Sequence, residues 1–445
     1  MHIPNEALFT DLYQLTMLQA YMRAGQQEEA VFDLFVRRLR DRNYLIACGL
    51  DAALEYLEHL RFEHAALEYL SSLPEFDRDF IEWLERFRFS GDVYAVAEGT
   101  VLFADEPLLE VVAPLPQAQL VETALLNRLT YASNVATKAS RVVTAAAGRP
   151  VSDFGMRRMQ GSDATLIAAR ASYIAGVAST SNVLAGQVYG LKVTGTMAHS
   201  FVEVQPTEKE AFRLFSELYP GTTLLVDTFD TLEAIRQAAV LFHELAPNQR
   251  FGAIRLDSGD LARLAREARE ILDREGLESV RILASGSLDE YAIADLVAAG
   301  APIDGFGVGT RMGTVSDLPY LDTAYKLVEY GGAGRMKLSE DKANYPGRKQ
   351  IFRRFKGHEP GGDVLAHADE RLEGKPLLER VMQNGVRTAA GRRDLSDVRT
   401  HAAASVRNLP VRLRALENAD PPYPVSVSER LSRATRDLAE KLGAA

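Results

Sequence analysis

The residues whose types and spacing could do most chemistry lie at 253–260, where the chain reads AIRLDSGD. Its apolar start gives way to Arg255, Asp257 and Asp260, and a helical pattern follows directly. A guanidinium offers forked donors to phosphate oxygens, and a carboxylate can bind sugar hydroxyls or Mg²⁺. The segment therefore favours a phosphorylated sugar over a role in the core. An ordinary helix cap is the alternative, and it explains Ser258 or Asp260 but not Arg255 together with Asp257.

Strand ends are needed to position such residues, and the chain from about 150 onward supplies them. Short apolar runs end in polar residues and are followed by helical patterns, an alternation typical of a parallel sheet. We predict strands near 150–153, 177–179, 191–194, 223–227, 251–256, 281–284 and 303–307. These seven strands, or eight with AYKLVEY at 324–330, predict an α/β fold with an irregular TIM-like barrel. A doubly wound open sheet is the alternative, and both folds place the chemistry at the strand C-termini.

The predicted strand ends carry polar, aromatic and glycine residues that a barrel would bring into one ring. The candidate binding and catalytic residues at these ends are Phe154, Arg157, Asn182, Thr196, His199, Ser200, Arg255, Asp257, Asp260, Ser285, Gly286, Gly307, Gly309 and Thr310. Phe154 could stack on a planar ring, and the backbone N–H groups of the GFGVGT turn could bind an anion. The simpler alternatives stay open: Asn182 as a helix cap, and His199 as a hydrogen-bonded structural histidine.

Composition limits the classes of protein that this chain can be. Its 445 residues suggest two or three domains, and a net charge of −10 argues against broad nucleic-acid or anionic-membrane binding. The single cysteine, Cys48, excludes an internal disulfide. We find no signal-peptide pattern, no long apolar run and no zinc or Walker motif. We therefore expect a cytoplasmic enzyme that binds neither nucleic acid nor membranes.

Changes in texture along the chain predict three segments. Residues 1–148 mix helical and strand patterns and are expected to form a smaller α+β domain. Residues 149–330 are expected to form the barrel with the active site. Residues 331–445 are expected to pack back on the N-terminal domain, and within them residues 331–420 are richer in Gly, Arg and Lys.

Several motifs together resemble a known family, the nicotinate phosphoribosyltransferases. The matching motifs are DFGMRR, STSN, GTMAHSF, RLDSGDL, GFGVGT, TDLYQLTM at 10–17 and KLSEDKANYPGRKQIFR at 337–353. The resemblance spans about residues 8–355. It implies the fold of type II phosphoribosyltransferases, which is an irregular α/β barrel with a smaller domain, usually assembled as a homodimer.

The resemblance also implies a reaction. Nicotinate and 5-phosphoribosyl 1-diphosphate would give nicotinate mononucleotide and diphosphate, with Mg²⁺ as cofactor and ATP as co-substrate. It implies that His199 is transiently phosphorylated and that Asp257 holds the ribose or its Mg²⁺.

The family's substrate contacts carry over onto matching positions. Tyr13 and Phe154 would contact the pyridine ring, with Thr196 nearby. Arg157 and Arg255 would bind anionic groups. The remaining implied contacts are Gly307, Gly309 and Thr310 to the 5-phosphate and a neutral Asn182 beside the substrate carboxylate.

Three other functions stay open at this stage. A nicotinamide-using phosphoribosyltransferase would share the same motifs. A phosphosugar isomerase or aldolase barrel would also need glycine-rich phosphate turns, although no strand-end lysine suits a Schiff base here. A non-catalytic metabolite sensor could retain the pocket without turnover.

Overall fold

The computed structural model describes residues 5–338 and 344–443. The chain divides into two compact units, the first formed by residues 1–137 and 320–445 and the second by residues 138–319. The division at 137/138 falls within a helix of 24 residues, Glu122–Ala145. No helix among the described residues has the length and apolar character needed to cross a membrane.

The second unit alternates strands and helices, as its sequence predicts. Its strands are Val151–Asp153, Ser179–Thr180, Thr223–Leu225, Ala253–Leu256, Arg281–Ala284 and Gly305–Val308. Its α-helices are Ser162–Ile174, Val183–Tyr189, His199–Glu203, Glu208–Leu218, Thr231–Glu244, Leu261–Arg274, Glu290–Ala298 and Thr310–Gly313. Short 3₁₀ turns cover Met156–Arg158 and Pro247–Gln249.

These six strands form one parallel sheet. Their order from edge to edge is Ser179–Thr180, Val151–Asp153, Gly305–Val308, Arg281–Ala284, Ala253–Leu256 and Thr223–Leu225. The strand predicted near 191–194 is present only as an isolated parallel bridge between Thr180 and Val193, and no pairing among the described residues joins it to Thr223–Leu225. The predicted seven-stranded barrel is therefore confirmed only as a six-stranded parallel sheet in a mixed α/β fold.

The sheet lies within an apolar core, and its helices are fixed at their starts by acidic caps. Buried residues of the sheet include Ile254, Ile282 and Phe306, and the helices pack alanine and leucine against them. The side chains of Asp230, Asp260 and Asp289 each accept a hydrogen bond from the backbone three residues on, which stabilises a helix N-terminus. The strand ends are therefore followed at once by well-defined helix starts.

The first unit contains a seven-stranded sheet built from distant parts of the chain. Its strand order is Ala333–Gly334, Thr323–Tyr330, Glu29–Val36, Pro107–Pro114, Asp92–Val96, Leu378–Gln383 and Val386–Arg387. Prediction of 324–330 as an eighth barrel strand is wrong, because this segment pairs antiparallel with Glu29–Val36. Its alternating apolar residues suit either sheet, so periodicity alone does not distinguish the two.

Two smaller sheets and eight α-helices complete the described part of the first unit. The smaller sheets contain the strands Lys375–Pro376, Lys349–Lys356, Glu359–His367 and Val425–Val427, and the pair Leu45–Ile46 with Val101–Leu102. The helices are Leu12–Arg23, Leu50–His59, His64–Ser71, Arg78–Glu85, Leu115–Leu120, Leu395–Arg407, Val411–Arg414 and Glu429–Lys441, with a 3₁₀ turn at Glu6–Leu8. The C-terminal strand Leu378–Gln383 pairs antiparallel with Asp92–Val96.

Candidate active site

Arg255 connects strand ends of the parallel sheet to the loop that follows the Val193 bridge. Its Nε donates to Ser285 Oγ at 2.7 Å, one terminal nitrogen donates to Thr196 Oγ1 at 2.9 Å, and the other donates to Asp257 Oδ1 at 2.6 Å. The guanidinium also lies 5.4 Å from the centre of the Phe154 ring. Five of the sequence-predicted residues are thus brought into one cluster by direct contacts.

Asp257 is held as a carboxylate by its neighbours. The Ser285 hydroxyl donates to the same oxygen that Arg255 contacts. Burial opposes ionisation, but the bonds from Ser285 and Arg255, together with His199, outweigh it and lower the pKa of Asp257. Asp257 therefore stays negatively charged at neutral pH.

Asp227 fixes the turn that carries Asp257. Its Oδ2 accepts the Asp257 N–H at 3.1 Å and the Ser258 hydroxyl at 2.6 Å. Its other oxygen, Oδ1, is buried and has no hydrogen-bond partner among the described residues. The Asp227 strand end thus supplies both a support for this turn and an unused acceptor.

Phe154 is placed by a buried carboxylate at the end of the strand Val151–Asp153. Asp153 is 1% exposed, and it accepts the Gly155 N–H and the Thr180 hydroxyl, each at 2.9 Å. These bonds tie the turn around Phe154 to the neighbouring strand. Asp153 begins the DFGMRR motif at a predicted strand end, but it was not among the candidate site residues.

Glycine is required at two turns by space, and at Gly286 by backbone conformation as well. Gly286 has a φ of 91°, and a Cβ there would lie 1.9 Å from the Asp257 carbonyl oxygen. A Cβ on Gly307 would lie 2.6 Å from the Phe154 ring. Gly309 follows in the same turn, where a Cβ would lie 2.9 Å from the Phe154 carbonyl oxygen. Both predicted glycine turns therefore contact the Arg255 cluster.

His199 begins a short helix, His199–Glu203, after the Thr196 loop. Its Nδ1 lies 3.1 Å from the Thr228 hydroxyl, a contact that orients the ring. It is partly exposed, and its charge lowers the pKa of Asp257. The adjacent Ser200 is exposed. His199 and the Arg255 cluster therefore lie within electrostatic range of each other.

Glu208 is a further titratable group that sequence analysis missed. Burial raises the pKa of its carboxyl to about 7, and the carboxylates of Asp230 and Asp227 raise it as well. Its Oε1 is buried and has no hydrogen-bond partner among the described residues. The only sequence signal was a Thr207 cap before a helical pattern, which indicates a helix start and not a site.

The residues predicted for the site also include Asn182, Asp260 and Arg157. Asn182 is 1% exposed and acts as a helix cap: its Oδ1 accepts the Ala185 N–H and its amide nitrogen donates to Thr165. Asp260 also caps a helix. Arg157 is exposed and forms no hydrogen bond or ion pair with the described residues.

The last two residues predicted for the site are Thr310 and Tyr13. Thr310 is exposed at the start of Thr310–Gly313. Tyr13 belongs to the first unit, where it is 48% exposed and accepts a hydrogen bond from Gln14. The 337–353 motif lies partly outside the described residues.

Comparisons with known proteins identify one family over most of the chain. Residues 8–130, 150–330 and 371–435 match the nicotinate phosphoribosyltransferase N-terminal domain, family and C-terminal domain, respectively. The Mycobacterium tuberculosis nicotinate phosphoribosyltransferase pncB2 is 49% identical over 426 residues, which cover 96% of this chain and 92% of that protein. The Bacillus subtilis nicotinate phosphoribosyltransferase is 40% identical over 383 residues, covering 84% and 78%.

The solved structures agree. The crystal structure of human nicotinic acid phosphoribosyltransferase superimposes with a TM-score of 0.85 at 31% identity, covering 96% of this chain and 99% of that one. Sequence and fold thus match along nearly the whole chain, and the strand-end cluster lies within the matched segment 150–330. This chain belongs to the nicotinate phosphoribosyltransferase family.

Proposed function

We propose that this chain transfers the 5-phosphoribosyl group of 5-phosphoribosyl 1-diphosphate to nicotinate, forming nicotinate mononucleotide and diphosphate in NAD salvage. Membership of the family supports this reaction. The observation that carries it here is the Arg255 cluster, in which one guanidinium joins Thr196, Asp257 and Ser285 beside the Phe154 ring. Such an arrangement suits a planar anion next to a phosphorylated sugar.

Both substrates would bind at this cluster. The pyridine ring would stack on Phe154, with Arg255 or the exposed Arg157 as the cation for the carboxylate. The 5-phosphate would bind the turn at Gly307, Gly309 and Thr310, where glycine permits close approach of backbone N–H groups. The remaining proposed contacts are Asn182, Ser200, Asp260 and Gly286.

The reaction is a displacement at C1 of the ribose. The ring nitrogen of nicotinate forms the new bond to C1 while the bond to the diphosphate oxygen breaks and its electron pair leaves with diphosphate. Positive charge therefore develops on the sugar, which the carboxylate of Asp257 stabilises. Holding both substrates in line and neutralising the leaving group account for the catalysis.

Magnesium fits the residues around Asp257. Mg²⁺ commonly binds one or two carboxylates together with substrate phosphates and water. Asp257 remains ionised, and the buried Oδ1 of Asp227 lacks a partner among the described residues. Asp257 would hold the ion, which when bound would neutralise charge on the leaving diphosphate.

ATP would act through His199. One imidazole nitrogen would take the γ-phosphoryl group as ADP leaves, and water would later release it as phosphate. The Thr228 hydroxyl at Nδ1 orients the ring for this step. Hydrolysis of the phosphohistidine would then draw the transfer toward nicotinate mononucleotide.

We also propose the finer features that the family implies. The parallel sheet, extended by the Val193 bridge, would be part of an irregular barrel. The working form would be a cytoplasmic homodimer. Size-exclusion chromatography with light scattering would measure the assembly directly.

A radiolabelled nicotinate assay tests the proposed function. We expect label to enter a mononucleotide when 5-phosphoribosyl 1-diphosphate and Mg²⁺ are present, and expect ATP to increase the yield. Labelled nicotinamide, run in parallel, should be a much poorer substrate. Transfer to nicotinamide at an equal rate would contradict the substrate assignment, and no transfer to either would contradict the reaction.

A further inference from the structure

A buried ionic cluster in the second unit has no part in the chemistry described so far. The Lys138 cluster consists of Lys138, Arg141, Glu290 and Asp317. Lys138 Nζ lies 2.5 Å from Glu290 Oε2 and 3.0 Å from Asp317 Oδ1, and Arg141 Nε lies 2.9 Å from Glu290 Oε1. The side chains of Lys138, Arg141 and Glu290 are at most 2% exposed.

Stability alone does not explain such a cluster. Removing charges from water is costly, and replacing a buried ion pair with apolar residues is often neutral or stabilising. Nearby residues of the second unit form a dense apolar core, so apolar side chains could also have filled these positions. The cluster calls for a role in fixing the geometry of the segments that it joins.

Those segments are the two turns that follow the last strands of the sheet. Glu290 comes directly after Asp289, which caps the helix Glu290–Ala298 close to the Ser285–Gly286 turn. Asp289 also accepts a hydrogen bond from Arg311 at 2.6 Å, and Arg311 directly follows Thr310. Asp317 lies further along the same loop. The two turns are therefore linked twice, once through Asp289 and Arg311 and once through Lys138.

We propose that Lys138 is a positioning residue for the phosphate end of the ribose substrate. Its ammonium group joins Glu290 behind one turn to Asp317 beyond the other, and so sets the separation of Gly286 from the Gly307–Thr310 turn. Lys138 does not contact the substrate. The inference rests on the proposed function in taking the Gly307–Thr310 turn as the 5-phosphate site.

Two variants and a matched control test the proposal. Lys138→Met removes the ammonium group, and Asp317→Asn weakens only the link to Asp317, whose side chain is 34% exposed. Leu272→Ala is the control, because Leu272 is fully buried in the same unit, lies in the helix Leu261–Arg274 and not in either turn, and its truncation destabilises the core. Thermal unfolding shows which variants fold and how the stability of each cluster variant compares with that of the control.

Steady-state kinetics and a binding probe provide the readouts. For both cluster variants we expect the KM for 5-phosphoribosyl 1-diphosphate to rise by about fivefold or more, with the KM for nicotinate changed by less than about twofold. The Kd of ribose 5-phosphate, measured by calorimetry without turnover, should rise in parallel. Leu272→Ala should leave both substrate constants near wild type.

Each outcome decides a separate question. Equal changes in both KM values, or an unchanged Kd for ribose 5-phosphate in folded variants, would overturn the role of Lys138. If Lys138→Met does not fold, Asp317→Asn decides alone. A wild type that binds ribose 5-phosphate but transfers nothing to nicotinate would instead contradict the proposed function, and the calorimetric comparison would still test Lys138.

Discussion

Replacing Arg255 with alanine is the most direct test of the strand-end cluster. The change removes three donated hydrogen bonds, one of them to the ionised Asp257, and it removes the proposed cation for a substrate anion. A hydrogen bond to a charged group contributes about 1.5–3 kcal/mol, and partial exposure of the Arg255–Asp257 pair, at 16% and 28%, argues for the lower half of that range. About 2 kcal/mol in transition-state binding corresponds to a loss of about 30-fold in kcat/KM.

The assay is the nicotinate transfer reaction, with kcat and KM measured for both substrates. Arg263→Ala is the matched control, because Arg263 lies in the following helix and forms an exposed ion pair with Glu267. Such a pair contributes about 0.3–0.5 kcal/mol to stability, so the control should retain nearly all activity. A folded Arg255→Ala protein with unchanged kcat/KM would refute the reasoning and make Arg255 a structural residue.

The same variant has a predictable pH dependence of stability. Arg255 helps to lower the pKa of Asp257 below its unfolded value, so the stabilisation that it provides is present above the unfolded pKa and is lost as the pH falls through the folded pKa. The difference in unfolding free energy between wild type and Arg255→Ala should therefore be largest near neutral pH and shrink in acid. Urea unfolding at a series of pH values measures it.

Three further predictions follow from the site. His199→Ala should abolish ATP turnover and the acid-labile protein phosphate while leaving some ATP-independent transfer, and undiminished ATPase activity would remove His199 from the mechanism. The pKa of Glu208 is raised from 4.5 to about 7, so wild type should lose stability as the pH rises through this interval. Glu208→Gln should be more stable than wild type at pH values above about 7 and similar to it near the unfolded pKa of about 4.3. Urea unfolding that gives the same free-energy difference between the two proteins at both pH values would contradict this. Gly286→Ala should lower the melting temperature and abolish transfer, because its Cβ would lie 1.9 Å from a carbonyl oxygen. The control is Gly276→Ala, which has nothing within 4 Å of its Cβ and should cost only about 1–2 kcal/mol of backbone strain. Equal losses of stability in the two variants would argue against the close approach at Gly286.

The sequence predicted much of the second unit because its signals are local. Each strand end there combines an apolar run with polar residues and a capped helix, and Arg255, Asp257, Ser285, Thr196 and Phe154 do meet. The strand near 191–194 was overestimated, since pairing there is reduced to one bridge. Local pattern does not determine how many backbone pairs form at a sheet edge.

Features that depend on distant partners escaped prediction. The segment 324–330 has an ordinary strand pattern, and only its antiparallel pairing with Glu29–Val36 assigns it to the first unit. The raised pKa of Glu208 depends on burial and on the carboxylates of Asp230 and Asp227, which lie outside its helix. Neither burial nor proximity between elements can be read from the spacing of residues along the chain.

The pairing of Leu378–Gln383 with Asp92–Val96 has a consequence for synthesis of the chain on the ribosome. All six strands of the parallel sheet lie between residues 151 and 308, so this sheet can form while later residues are still being added. The seven-stranded sheet must wait for residue 387, and the strand Asp92–Val96, which lies between Pro107–Pro114 and Leu378–Gln383 in the sheet, meanwhile has one unpaired edge. Until that partner strand is made, the unpaired edge is a site where the nascent chain could aggregate.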